Sequence, residues 1–111
     1  MIKLNSVLLV DDDKINNFIN ARLIRKIEIS SNLHISTNGR EAIIYLTEKL
    51  DKQEVGPELI LLDINMPVVD GFEFVDAFRK LSFSNQNQII IVMLTTSSNP
   101  KDLERVDALN I

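Results

Sequence analysis

The stretch Leu59-Ile60-Leu61-Leu62-Asp63-Ile64-Asn65-Met66-Pro67 is an apolar run that stops at one acidic residue and continues into a turn. Four consecutive apolar residues that follow Gly56-Pro57 predict a strand buried on both faces. Asp63 would then stand at the carboxyl end of this strand, which is where open α/β sheets bind ligands. Asp63 is therefore the first candidate for a functional residue.

Two further apolar runs end in polar residues in the same way. Val7–Val10 is followed by three acidic residues, and Ile89–Leu94 is followed by Thr95 and further hydroxyl side chains. Both runs predict strands, and the alternation in Leu33–Ser36 predicts a shorter one. With Leu59–Asp63, the chain has four predicted strands, numbered here in chain order.

Helical patterns separate the predicted strands. From Lys14, apolar residues recur at four-residue steps, which predicts a helix with one apolar stripe that is capped by Asp13 and runs to about Ile29. The stripe consists of Ile15, Ile19, Leu23 and Ile27, with Phe18 and Ile24 beside it. Further helices are predicted over residues 40–50 and 72–81, and from Pro100 to the end of the sequence. The side chains predicted to face inward are Ala42, Ile43, Leu46 and Leu50 on the second helix, and Phe74, Val75 and Phe78 on the third.

The regular alternation of strands and helices predicts the fold class. An order of β-α-β-α-β-α-β-α with unbroken apolar strands is typical of α/β proteins, in which a doubly wound open parallel sheet has helices on both faces. The sequence has 111 residues, of which 45% are hydrophobic and 25% charged, which fits a single globular domain over residues 1–111.

Composition excludes several classes of function. Lys and Arg number 12 against 16 Asp and Glu, and the net charge of −4 weighs against a nucleic-acid-binding surface. The sequence has no cysteine and a single histidine, which excludes disulfide scaffolds, thiol catalysis and zinc-thiolate sites. The first residues lack the length and flanks of a signal peptide or a membrane span, so we expect a cytoplasmic protein with no membrane partner.

Candidate site residues follow three of the four predicted strands at one edge of the sheet. Asp11 and Asp12 follow the first strand, Asp63 ends the third and Thr95 follows the fourth. If strand 1 lies between strands 2 and 3, the acids converge where the strand order reverses. Clustered carboxylates raise one another's pKa, and a hard divalent cation such as Mg²⁺, which prefers oxygen ligands, relieves this repulsion. Mg²⁺ would neutralise the charge on a transferring phosphoryl group while Asp63 attacks in line and the Thr95 hydroxyl donates to a phosphoryl oxygen.

Five sequence motifs together resemble the receiver domain of bacterial two-component response regulators, and they span nearly the whole chain. They are Leu9-Val10-Asp11-Asp12, Asn38-Gly39-Arg40-Glu41-Ala42, Leu62-Asp63-Ile64-Asn65-Met66-Pro67, Asp70-Gly71 and Leu94-Thr95-Thr96. The resemblance is to the stand-alone chemotaxis-type receivers and implies a flavodoxin-like sheet with strand order 2-1-3-4. The family pattern also has a fifth strand and helix with an active-site Lys. These are absent from the 111 residues, so we expect a domain that is C-terminally incomplete relative to the family.

The resemblance implies a role for each site residue. Asp63 would be the phosphoacceptor, and a sensor histidine kinase or a histidine phosphotransfer protein would be the donor. The implied Mg²⁺ ligands are Asp12 directly, Asp11 mainly through water, Asp63, and the main-chain carbonyl of Asn65. Thr95 would move toward the phosphoryl group, the Thr96 amide would contact it, and Asn65 and Ser97 would tune dephosphorylation. The donor would dock on helix 1 near Ile15 and Asn16. Because receivers promote their own phosphorylation and dephosphorylation, the expected protein is a phosphoacceptor switch rather than an enzyme.

Two other functions stay open. Asp11-x-Asp13 fits the Asp-x-Asp core of haloacid dehalogenase-like phosphatases, although this leaves the motif around Asp63 unexplained. The absent Lys fits a degenerate receiver that binds partners without phosphorylation, although the intact acids and Thr95 argue against it. Without a fifth strand, Ile89–Leu94 would also be an exposed sheet edge, which could pair with a second copy in a homodimer through the strand 4 and helix 4 side.

Overall fold

In the computed structural model, which describes residues 4–30, 32–63 and 70–94, parallel strands alternate with helices. The elements are β1 (Val7–Val10), α1 (Lys14–Lys26), β2 (Leu33–Ser36), α2 (Gly39–Asp51), β3 (Leu59–Asp63), α3 (Gly71–Arg79), a 3-10 turn (Gln86–Gln88) and β4 (Ile90–Leu94). All strand pairs are parallel, and the strands lie in the order β2-β1-β3-β4. The predicted fold class and strand order are confirmed. The predicted fourth helix lies outside the described residues.

The strand register places the carboxyl ends of the two central strands side by side. Val10 at the end of β1 pairs with Ser36 on one side and with Leu62 on the other. Asp11 follows Val10, and its N–H donates to the Ser36 carbonyl at 3.1 Å. Asp63 follows Leu62, so Asp11 and Asp63 leave the sheet at the same edge, between β1 and β3.

One face of the sheet carries the main hydrophobic core. Its buried members are Leu8, Val10, Ala42, Leu46, Ile60, Leu62, Phe74, Val75, Phe78 and Phe83. The side chains predicted to face inward from α3 are all in this core, as are Ala42 and Leu46 of α2, whereas Ile43 and Leu50 are partly buried at its margin. Fully burying a side chain of this size contributes about 1.5–3 kcal/mol, so the contact of α2 and α3 with the strands is a major source of stability.

Burial of the strands is less uniform than the apolar runs predicted. β1 is buried on both faces, with every side chain at most 1% exposed. In β3, only Ile60 and Leu62 are buried, and Leu59 and Leu61 on the other face are half-buried. The prediction that β3 is buried on both faces was therefore wrong for the described part of the chain. The physical reason is that α1 packs mainly on β1, and its contact with β3 is at most slight.

The apolar stripe of α1 does not face the sheet. The buried residues of this helix are Asn17, Ala21 and Ile24. The exposed ones include every member of the stripe, namely Ile15 at 70%, Ile19 at 56%, Leu23 at 56% and Ile27 at 41%, and also Phe18 at 62%. The helix itself is confirmed, but an apolar stripe normally packs against a core, and here it forms an exposed apolar surface. A surface of this kind is typical of an interaction site.

Caps explain where the helices begin and end. Asp13 caps α1 as predicted, and the helix ends at Lys26, three residues before the expected end, because Glu28 has a φ of 55° that no α-helix accommodates. The Asn38 side chain accepts a bond from the Glu41 N–H at 2.8 Å, which starts α2 at Gly39, one residue early. At α3, Asp70 and Glu73 form a reciprocal capping box, with bonds of 2.9 and 3.4 Å between side chain and backbone.

The linker before β3 is hydrogen-bonded to the loop before β4. The Gly56 N–H donates to Asn85 Oδ1, and Asn85 Nδ2 donates to the Gly56 carbonyl, both at 2.9 Å. A Cβ on Gly56 would lie 2.8 Å from Ile89 Cδ1 and 3.0 Å from Phe83 Cγ, so a larger residue would displace these neighbours. Gly56 is therefore a tightly packed position. Separately, the described helices include none with the length and apolarity needed to span a membrane.

Candidate functional site

Three carboxylates lie together at the carboxyl edge of β1 and β3. Asp11, Asp12 and Asp63 each place one oxygen within 4.8 Å of the others. Asp11 is buried at 4% exposed, Asp63 is half-buried, and Asp12 is exposed. The cluster therefore runs from the protein interior to solvent. A cation bound among these oxygens would have protein on one side and water on the other, which suits Mg²⁺ because that ion keeps several of its waters.

The third acid of the Asp11-Asp12-Asp13 run serves the backbone. Asp13 Oδ1 accepts hydrogen bonds from the N–H of Ile15 at 2.8 Å and of Asn16 at 3.3 Å, so it caps α1. The Asp13 N–H in turn donates to Asp11 Oδ1 at 2.9 Å, which closes a tight turn between strand and helix. Asp13 is not part of the acidic cluster. This arrangement weakens the phosphatase alternative, because a capping carboxylate is poorly placed to act as a general acid.

The pKa of Asp11 is raised. Burial of its carboxyl group is the largest cause, and the nearby charges of Asp12 and Asp13 add to it. The hydrogen bonds from the Asp13 N–H and the Asn16 side chain oppose this shift without cancelling it. A buried carboxylate with acidic neighbours gains from a bound cation, since the positive charge replaces the lost hydration.

The Asp11 backbone is held from both sides. Its N–H donates to the Ser36 carbonyl of β2, and its carbonyl accepts a bond of 2.7 Å from Asn17 Nδ2 of α1. Asn17 is not among the site residues predicted from the sequence. A usable signal was present, because Asn17 shares a helical face with Ala21 and Ile24 at spacings of four and three residues, and that face packs on the sheet.

The structure tests only part of the sequence-derived site. Asp11, Asp12 and Asp63 come together, and Asp70 of the Asp70-Gly71 motif caps α3. The remaining predicted site residues are Asn65, Thr95, Thr96 and Ser97, and all four lie outside the described residues. Their roles stay predictions.

The fold and the cluster together define a class of protein. A doubly wound parallel sheet with three acids at its topological switch point is a flavodoxin-like domain with an acidic crevice at the carboxyl edge of its sheet. The family model described as response regulator receiver domain matches residues 7–110, and this chain belongs to that family. Its function is therefore that of a receiver in phosphorelay signal transduction of the two-component type.

Similar proteins from several organisms agree with this assignment. The crystal structure of a two-component response regulator from Cytophaga hutchinsonii is 36% identical, with a TM-score of 0.83 over 96% of this chain and 79% of that one. Response regulator Rcp1 of Synechocystis is 31% identical over 87% of this chain and 65% of its own length. Hybrid signal transduction histidine kinase B of Dictyostelium discoideum is 33% identical over 93% of this chain, which spans only 5% of that protein. The chain thus spans less than two thirds of the length of each of these curated relatives.

Proposed function

We propose that this receiver accepts a phosphoryl group on Asp63 from a phosphohistidine donor, with Mg²⁺ held by Asp11, Asp12 and Asp63. The observation that carries the proposal is the convergence of these three carboxylates within 4.8 Å at the edge of two central strands. The donor would be a sensor histidine kinase or a histidine phosphotransfer protein. Asp63 ends β3, whose pairing with β1 and β4 holds its backbone at a fixed place in the sheet.

The proposed step is an in-line phosphoryl transfer. A carboxylate oxygen of Asp63 forms a bond to phosphorus while the phosphorus–nitrogen bond to the donor histidine breaks, and the electron pair of that bond returns to the imidazole. Mg²⁺, when bound, neutralises charge on the phosphoryl oxygens. Asp11 is buried and acidic neighbours surround it, so it favours a bound cation, and exposed Asp12 is accessible to a hydrated one.

The rest of the predicted site completes this proposal. The main-chain carbonyl of Asn65 would be a further Mg²⁺ ligand, and the Thr95 hydroxyl and Thr96 amide would donate to phosphoryl oxygens. These groups follow β3 and β4, whose ends lie side by side because Asp63 pairs with Leu94. The domain would act as a phosphoacceptor switch that promotes its own phosphorylation and dephosphorylation, in the cytoplasm where its donors present their phosphohistidine.

The exposed surface of α1 is suited to be the docking site of the donor. This surface consists of Ile15, Phe18, Ile19, Arg22, Leu23, Arg25 and Lys26, and we call it the α1 surface. The Arg22 guanidinium lies 5.7 Å from the centroid of the Phe18 ring, so a cation and an aromatic side chain share the surface. α1 begins two residues after Asp12, which brings a helix docked on this surface close to the acidic cluster. We propose that the histidine-bearing helix of the donor binds here.

We also propose a homodimer that forms through the β4 side of the domain. β4 is the outer strand of the described sheet, and its Ile90 and Val92 side chains are 62% and 39% exposed. Exposed apolar side chains on an outer strand favour pairing with another chain. Sedimentation velocity of wild-type protein and of Ile90→Lys tests this, because a β4-mediated dimer would be lost in the variant and a dimer built elsewhere would persist.

Phosphorylation by a small donor tests the central proposal. The protein is incubated with Mg²⁺ and acetyl phosphate, and the modified residue is mapped by mass spectrometry. We expect one phosphoryl group on Asp63, absent when Mg²⁺ is chelated and absent in Asp63→Asn, whereas the control Asp76→Asn is labelled like wild type. Labelling of Asp11 would instead support the phosphatase alternative. Absence of both labelling and Mg²⁺ binding would support a receiver that works without phosphorylation.

A further inference from the structure

α1 buries one polar side chain against the sheet, that of Asn17. Asn17 is 5% exposed and lies on the same face as Ala21 and Ile24. Its Nδ2 donates to the Asp11 carbonyl at 2.7 Å, and its Oδ1 is buried and accepts no hydrogen bond from the described residues. Burying an amide with an unpaired oxygen is unfavourable, so an apolar residue would suit this helix face better as far as packing is concerned. The bond to Asp11 is the feature that accounts for an asparagine here.

The Asp11 carbonyl belongs to the peptide group that joins Asp11 to Asp12. β1 ends at Val10, and the Asp11 N–H still bonds the Ser36 carbonyl at 3.1 Å. On the other side of the residue, the carbonyl accepts a hydrogen bond from Asn17 Nδ2. A side chain of α1 therefore constrains the plane of the Asp11–Asp12 peptide.

The direction of two clustered carboxylates depends on that peptide plane. A rotation of this peptide group would turn the side chains of Asp11 and Asp12 relative to Asp63. It would also strain the 2.9 Å bond from the Asp13 N–H to Asp11 Oδ1. Groups that orient metal ligands in this way affect metal affinity strongly even though they do not touch the ion.

We propose that Asn17 is a positioning residue of the cation site, because its amide holds the Asp11–Asp12 peptide in the orientation that lets both carboxylates face Asp63. The proposal rests on the proposed function in that it takes the acidic cluster to bind Mg²⁺. Asn17 itself contacts neither the cation nor the phosphoryl group; it acts through the backbone of Asp11.

The test compares Asn17→Ala with Ile24→Ala, which removes packing from the same buried face of α1 without touching Asp11. The Mg²⁺ dissociation constant is measured by calorimetry on each folded protein. We expect Asn17→Ala to weaken Mg²⁺ binding by about tenfold, the lower end of the range for groups that orient metal ligands. Ile24→Ala should lower the melting temperature and leave Mg²⁺ affinity as in wild type. Equal Mg²⁺ affinities in the two variants would overturn the proposal.

A second measurement needs no metal. Hydrogen exchange of the Asp13 N–H, followed by NMR in the metal-free protein, should accelerate in Asn17→Ala more than in Ile24→Ala, because Asp11 Oδ1 loses its fixed position. If wild-type protein fails to bind Mg²⁺, the proposed function is wrong. The role of Asn17 is tested separately in the metal-free protein, where an unchanged exchange rate of the Asp13 N–H in Asn17→Ala would count against it. If Asn17→Ala does not fold, Asn17→Leu fills the same space without a donor and should show the same two effects.

Discussion

The imidazole of His34 on β2 lies flat against the ring of Tyr45 on α2, with ring centroids 3.7 Å apart and planes 3° from parallel. Lys49, one turn further along α2, places its Nζ 5.6 Å from the centroid of the Tyr45 ring. Loss of water around the imidazole, and then the Lys49 charge, lower the pKa of His34, and the Glu41 carboxylate opposes them in part. The stacked pair therefore favours the neutral histidine.

Protonation of His34 should weaken the fold. Because its folded-state pKa lies below the ordinary value of 6.5, the unfolded chain binds a proton more readily, and stability falls as the pH drops below that value. Melting temperatures at about pH 7.5 and about pH 5.5, on either side of the ordinary histidine pKa, measure the effect. The variant His34→Phe keeps a stacked ring without a proton site and should lose less stability on acidification than wild type. An identical loss in both proteins would contradict the assignment.

Asp11→Asn should stabilise the metal-free protein at neutral pH. The raised pKa of Asp11 means that its ionised form opposes folding above that pKa, and the amide oxygen of asparagine can still accept the bond from Asp13. Mg²⁺ at a hundred times its dissociation constant should add about 2.7 kcal/mol to the unfolding free energy of wild type and much less to the variant. Urea unfolding with and without Mg²⁺ measures both effects. Asp76→Asn, on the exposed side of α3, is the control and should respond to Mg²⁺ like wild type.

Substitutions on the α1 surface should separate docking from chemistry. Leu23 is 56% exposed, so Leu23→Ser should change the unfolding free energy by no more than about 0.5 kcal/mol. We expect it to slow phosphotransfer from a phosphohistidine protein and to leave labelling by acetyl phosphate unchanged, because the small donor needs no docking surface. Ile44→Ser, at a 50% exposed position of α2, serves as the control. Equal transfer rates for Leu23→Ser and Ile44→Ser would place the donor elsewhere.

The capping box of α3 should contribute measurably to stability. Asp70→Ala removes the acceptor of the Glu73 N–H bond, and loss of such a cap costs about 1 kcal/mol. Asp76→Ala removes an exposed acid from the interior of the same helix and should have a smaller effect. Urea denaturation of the two variants gives the comparison. If Asp76→Ala proves equally destabilising, general loss of charge on α3 is the cause and the cap is not.

A matched pair of phenylalanines tests the placement of the core. Phe74 is fully buried and Phe18 is 62% exposed. Phe74→Ala should cost about 3–5 kcal/mol, since it removes a buried ring and leaves a cavity. Phe18→Ala should stay within about 0.5 kcal/mol of wild type. Chemical denaturation measures both, and a large loss in Phe18→Ala would show that the α1 surface is packed against another part of the chain.

Local pattern was enough to predict most of the secondary structure and the main acids of the site. The apolar runs placed β1 and β3 at their observed residues, the alternation in Leu33–Ser36 did the same for β2, and β4 begins only one residue later than predicted. Asp13 was identified as a cap because an acidic side chain directly before a helical repeat can accept hydrogen bonds from the free N–H groups of the first turn. The meeting of Asp11, Asp12 and Asp63 could also be predicted, because parallel strands bring their carboxyl ends to one edge whatever the details of packing.

By itself, then, the sequence determined the order of elements, the strand order through its motifs, and which side chains share a face. The tertiary structure alone decided which of those faces is covered. The stripe from Ile15 to Ile27 and the buried set Asn17, Ala21 and Ile24 are both regular helical repeats, and only packing on β1 chooses between them. Periodicity reports the geometry of one element, whereas burial depends on neighbours that are distant in the chain. For the same reason, the bond from Asn17 to the backbone of Asp11 became visible only in the folded domain.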